Sequence, residues 1–137
     1  MVVESLFSYG TLQDPMVQTA LLGKILPFQK AWILNWGLYM GADGYLFVKP
    51  LLGARVQGRI LALATADLAL IDLWENCDVY SRESCKAFSD ETSFNDVWLY
   101  TRRAAQGEIF SGQGFHGKTR GELMEDIRAH MKTLGQA

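Results

Sequence analysis

Cysteine is nearly absent from the chain. Cys77 and Cys85 are the only two, too few for a disulfide framework and without metal-ligand spacing. They set the expectation of free thiols in a reducing cytoplasm. Histidine is as scarce: His116 and His130 have no companions that suggest a metal site or a catalytic triad, and both are expected on the surface. An excess of one charge is also missing. Thirteen Lys and Arg against fifteen Asp and Glu leave a net charge of −2, which gives no electrostatic footprint for nucleic acid. No apolar run approaches membrane-spanning length. No basic region precedes the short apolar stretch at the N-terminus, so no signal peptide is expected. There are no internal repeats.

What remains is an ordinary globular composition, 49% apolar and 20% charged over 137 residues. That length makes one domain with one core the default. Val2, Val3, Leu6 and Phe7 read as a first strand, apolar enough to be central in a sheet. The strand runs into Tyr9-Gly10-Thr11-Leu12. Gly10 permits a sharp bend and a close backbone approach by a ligand. Backbone N–H groups after such a bend can form a small anion-binding concavity. By itself the same stretch also reads as an ordinary glycine turn.

Some sixty residues on, Ile71 to Arg82 has the form D-x-x-E-x-x-x-x-Y-x-R, carried by Asp72, Glu75, Tyr80 and Arg82. A strand ending in Y-G-[ST]-L followed by this segment resembles the gamma-glutamylcyclotransferase-like family. Gly44 to Pro50 and Arg55 to Ile60, a small apolar hairpin and a strand carrying V-x-G, are similar to that family's middle. The resemblance covers about residues 5 to 103.

Local signals place the other elements. Asp14 is expected to cap a helix that opens on Pro15, buries Met16, Val17, Ala20 and Leu21, and ends at Gly23. Lys24 to Tyr39 reads as one long strand or two short ones. Gly41 to Gly44 is a loop, Tyr45 to Val48 a strand stopped by Pro50, and Val56 to Leu63 another strand. Gly58 within it suggests a bulge or a close approach. Thr65 is expected to cap a helix over Ala66 to Asn76, with Leu70, Leu73 and Trp74 as its buried stripe. Leu68, Asp72 and Glu75 share an adjoining face. Tyr80 to Phe88 and Asn95 to Arg103 read as an antiparallel pair with a polar turn between them. From Gln106 a glycine-rich linker leads to a capping box at Thr119 to Glu122. The helix after it has Leu123, Ile127, Met131 and Leu134 at helical spacing. The fold expected is mixed α/β (α+β), a small, mainly antiparallel barrel-like sheet with packed helices. It forms a single domain over 1–137, with its core at about 5–103 and the linker and final helix at 106–137.

Gly112-Gln113-Gly114-Phe115-His116-Gly117-Lys118-Thr119 satisfies the phosphate-loop pattern G-x-x-x-x-G-K-[ST]. Its context argues against nucleotide binding. Such a loop belongs to a parallel sheet with crossover helices. Here the upstream strands read as hairpins, Glu108 to Ser111 is a feeble strand, and one helix remains downstream. A glycine-rich linker into a capped helix is the plainer reading.

The resemblance implies a metal-free, cofactor-free enzyme that converts a small γ-glutamyl substrate to 5-oxoproline and a free amine or amino acid. It places the general acid/base at Glu75, which alone would read as a solvated helix glutamate. It places the substrate-binding loop at Tyr9, Gly10, Thr11 and Leu12, with Thr11 in place of the commoner serine. Tyr80 matches the family's tyrosine, whose hydroxyl either binds substrate or caps a strand. Tyr100 is a further substrate-binding candidate. Arg82 either pairs with a carboxylate or lies on the strand surface. Asp72, one turn before Glu75, would oppose its ionisation. Asn76 stands where many members have glycine, which bears on pocket shape and substrate. A non-catalytic binding or interaction protein on the same fold is the alternative, and nucleotide binding ranks third. The expected partners are a small γ-glutamyl substrate, no nucleic acid and no membrane, in a cytoplasmic monomer or homodimer.

Overall fold

A computed structural model of the chain describes residues 3–75, 79–110 and 120–135. The Gly112–Thr119 pattern, His116, Cys77 and Asn76 lie outside the described residues. Six strands and three α-helices follow in the order β1 (Val3–Ser8), α1 (Pro15–Leu22), β2 (Phe28–Met40), β3 (Leu46–Ala64), α2 (Thr65–Glu75), β4 (Ser81–Phe88), β5 (Ser93–Thr101), β6 (Glu108–Ile109) and α3 (Arg120–Gly135). The sheet order is β3-β1-β5-β4-β2-β6, and β2 pairs back onto β3. Five strands therefore close into a barrel, as the sequence leads one to expect, with β6 at the margin of β2. Among the described residues all pairings are antiparallel except β1 with β5. β6 too runs antiparallel to β2, unlike the strand that feeds a phosphate loop.

Alternation decides what the barrel buries. Phe7, Ile33, Val48, Val97 and Leu99 are sealed in one cluster. Leu6, Phe47 and Leu61 belong to a second cluster under the helices, where Val17 of α1, Ile71 of α2 and Leu123 of α3 meet them. α1 is bounded by local chemistry, as expected. The Asp14 carboxylate accepts from the Met16 N–H at 2.9 Å, and Gly23 closes the helix at φ 75°.

Four local expectations are corrected. β3 does not stop at Pro50 but runs on to Ala64. Pro50 pairs with Trp36 beside a bulge at Asn35, where a proline is tolerated in a sheet. Asn35 has φ 66°, and its side chain accepts from the Gly53 N–H at 2.9 Å, fixing the kink. α2 is capped by Asp67, which reaches back to the Ala64 N–H at 3.2 Å, while the Thr65 hydroxyl turns to Glu4. The buried stripe of α2 is Leu68 and Ile71; Leu70 and Leu73 are exposed. On α3, Leu123 and Ile127 are buried, but Met131 is not. Gly58 makes the close approach its position suggests: a Cβ there would overlap the Ser8 carbonyl oxygen and the Phe7 ring. No described helix is long and apolar enough to cross a membrane.

Candidate active site

The first wall of the site is the chain leaving β1. Phe7 is anchored in the core, and Gly58 lets β3 lie against the Ser8 carbonyl. Tyr9 then points inward, and its hydroxyl donates to the Tyr100 carbonyl at 2.7 Å. Gly10, at φ −130° and ψ −139°, leads into one 3-10 turn over Thr11–Gln13. That turn is closed by the Gln13 N–H on the Gly10 carbonyl at 3.1 Å and the Asp14 N–H on the Thr11 carbonyl at 3.0 Å. Thr11 and Leu12 are buried against the core, which sets the turn rigidly.

The second wall is the last turn of α2. Leu68 and Ile71 dock that helix, and Glu75 follows Ile71 one turn later on the same face. The side chain therefore points in. Glu75 and the residues from Tyr9 to Leu12 line one cavity of about 350 Å³. Tyr80 and Tyr100 line it too, so the structure brings every expected site residue to a single space.

Four tyrosines surround the carboxyl: Tyr9, Tyr45, Tyr80 and Tyr100 each feel the charge of Glu75. Glu75 keeps a partial opening onto the cavity, but protein atoms crowd its other sides. Burial, and then the negative charge of Asp72, push its pKa up to about 8. At neutral pH it is mostly the uncharged acid. Burial also raises all four phenols, so these groups stay neutral as well.

The tyrosine hydroxyls have protein partners. Besides Tyr9, Tyr80 donates to the Leu46 carbonyl at 2.8 Å and Tyr100 donates to Asp72 Oδ1 at 2.6 Å. All three residues line the cavity, while the Tyr9 and Tyr80 hydroxyls tie barrel backbone together and that of Tyr100 ties β5 to α2. Asp72 also forms an ion pair with Arg82, whose Nε lies 3.0 Å from Oδ1. Arg82 thus takes the carboxylate-pairing option.

Sequence reasoning missed the third wall. Asp126 and His130, one turn apart on α3, line the cavity with Tyr45 and Trp74. The Trp74 ring meets Tyr45 edge-on at 6.1 Å and His130 at 5.4 Å. Tyr45 donates to Asp126 Oδ2 at 2.6 Å. His130, expected on the surface, is half-buried, its Nε2 has no hydrogen-bond partner among the described residues, and burial lowers its pKa. The available signal was its helical spacing from Leu123 and Ile127, which fixes the face of α3 that docks. Among the described residues no cluster of His, Cys, Asp or Glu is placed to hold a metal ion.

Several solved structures share this architecture. An Arabidopsis thaliana protein known from its solution structure is 20% identical, with a TM-score of 0.71 over 98% of this chain and 87% of that one. A structure named gamma-glutamyl cyclotransferase is 11% identical, with a TM-score of 0.68 over 93% and 99%. An AIG2-like protein from Mus musculus is 18% identical, with a TM-score of 0.63 over 88% and 99%. At such identities the likeness establishes the fold. No curated protein matches the sequence. The model of the family described as gamma-glutamyl cyclotransferase, AIG2-like, matches residues 6–116, so both the Tyr9 turn and Glu75 fall within the match, and the chain belongs to that family.

Proposed function

We propose that the protein is a γ-glutamyl cyclotransferase in which Glu75 is the general acid/base. Family and fold support a cyclotransferase-type activity. The observation that carries the finer reading is the proton affinity of Glu75 beside the Tyr9–Leu12 turn.

The substrate's α-ammonium must lose a proton before its nitrogen can attack the γ-carbonyl. The substrate's α-ammonium keeps its own α-carboxylate beside it and is therefore more basic than a peptide's terminal amine, which titrates at about 8. Raising Glu75 to about 8 makes the transfer far less uphill than it would be to an ordinary carboxylate, which suits general base catalysis. The nitrogen forms a bond to the γ-carbon, and charge develops on the carbonyl oxygen beside the turn at Gly10, Thr11 and Leu12. The oxyanion collapses and the bond to the leaving nitrogen breaks as Glu75 returns the first proton to that nitrogen. The attacking nitrogen sheds its second proton through the same carboxylate to the released amine, leaving a lactam N–H and an ammonium product. The products are 5-oxoproline and an amine, with no water consumed. Because the attack is intramolecular, holding the folded conformer between the tyrosine rings supplies much of the catalysis.

The test is to incubate the purified protein with a panel of γ-glutamyl amines and γ-glutamyl amino acids and to quantify 5-oxoproline. Formation with at least one of them is expected. A protein that binds these ligands and never cyclises them is instead a binding protein on the same fold.

A further inference from the structure

Arg82 is held on three sides. It lies on β4 directly opposite Tyr100 of β5. Its guanidinium stacks over the Trp98 ring at 4.1 Å, and its Nε reaches Asp72 Oδ1 at 3.0 Å. Trp98 is itself fixed, donating from Nε1 to Glu4 at 3.0 Å. Asp72 Oδ1 accepts from the Tyr100 hydroxyl at the same time. The pair is about two-thirds buried on both sides, with 29% and 33% of the side chains exposed. A loose surface ion pair contributes little; this one is partly buried, with the guanidinium stacked on an indole face as arginine stacks and lysine does not.

We propose that Arg82 is a positioning residue for the acid/base: by anchoring and neutralising Asp72, it governs how strongly that carboxylate acts on the proton of Glu75. This rests on Glu75 being the catalytic group of the proposed reaction.

The groups facing Glu75 make Asp72 the point of control. Tyr9, Tyr45, Tyr80 and Tyr100 converge from the turn after β1, the start of β3, the start of β4 and β5, and all stay protonated. From α3, Asp126 is bonded by Tyr45 and His130 is disfavoured as a cation by burial. Asp43 pairs with Arg102 at 3.1 Å. Asp72, three residues back on the helix, is the ionised group whose charge reaches Glu75. Removing its counter-ion leaves that charge less balanced, so Glu75 holds its proton more tightly.

The experiment titrates the Glu75 carboxyl directly, by carbon-detected NMR on protein labelled at glutamate, with Glu75→Gln assigning the signal. No turnover is needed. Arg82→Gln should raise the midpoint by at least about half a pH unit. Asp72→Asn should lower it. In the Asp72→Asn background, Arg82→Gln should shift it by less than half as much, because the route runs through Asp72. Arg82→Met, which keeps the apolar stem over Trp98, gives the same reading should the glutamine variant fail to fold. An unchanged midpoint in a folded Arg82 variant overturns the proposal. So does a shift of full size in the Asp72→Asn background, which would mean that Arg82 acts on Glu75 directly. A wild type that titrates as expected and couples through Asp72, yet forms no 5-oxoproline, supports this coupling while overturning the enzymatic reading.

Discussion

The Tyr100 hydroxyl points at Asp72, 2.6 Å from its Oδ1, so its proton is engaged with the protein although the residue lines the cavity. A tyrosine that bound substrate through its O–H would have that proton available. Tyr100→Phe should therefore leave KM within about threefold of wild type. It should move the acid limb of the pH–rate profile upward, since Asp72 loses a hydrogen bond that stabilises its charge beside Glu75. Steady-state kinetics across pH distinguish the cases. A large rise in KM with an unmoved acid limb would make Tyr100 a direct substrate contact.

Gly58 carries the close packing of β3 on the end of β1. An added Cβ would overlap the Ser8 carbonyl, a backbone atom that cannot turn aside. Gly58→Ala should cost about 1–3 kcal/mol, seen as a lower midpoint in urea. Because Ser8 leads directly into the Tyr9–Leu12 turn, substrate affinity should fall as well. A variant as stable as wild type would show that β3 moves away freely.

The raised pKa of Glu75 makes stability depend on pH. Unfolded, its carboxyl ionises near the ordinary 4.5; folded, near about 8. Between these values the folded protein holds the proton more strongly, so raising pH favours unfolding. The contribution is complete below the lower value, is lost through the window, and is exhausted above the upper one. Glu75→Gln does not titrate. Its stability relative to wild type should climb across that window and level off above it. A tenfold difference in proton affinity between the folded and unfolded chain corresponds to about 1.4 kcal/mol, which sets a ceiling of a few kcal/mol. Urea unfolding of both proteins at about pH 5 and about pH 9 measures it. A difference independent of pH would mean that Glu75 ionises normally in the fold.

What was legible in the sequence was mostly local or carried by residue type. Asp14, Pro15 and Gly23 bound α1 because capping depends on neighbours in the chain. Glu75 and the Tyr9–Leu12 turn were legible as a pair of ordered motifs, and the cavity joins them. What was not legible depended on partners far along the chain. Pro50 would end an isolated strand, but the bulge at Asn35, fifteen residues earlier, accommodates it. Leu70 and Leu73 are as apolar as Leu68 and Ile71, and only the placement of the sheet decides which pair is buried. The tyrosine hydroxyls could not be assigned because their acceptors, Leu46, Tyr100 and Asp72, come from other elements. His130 lies on a helix whose docking brings it to the cavity.

The central claim is that the Glu75 carboxylate moves the protons of the cyclisation. Glu75→Gln keeps its volume and polarity and removes its basicity. Single-turnover formation of 5-oxoproline, measured beside 5-oxoproline binding on the same preparation, separates chemistry from affinity. General acid–base transfer contributes about 10²–10⁴-fold. The variant should therefore bind nearly as wild type does and turn over at least about a hundredfold more slowly. A Glu75→Gln protein that forms 5-oxoproline at the wild-type rate would contradict the account.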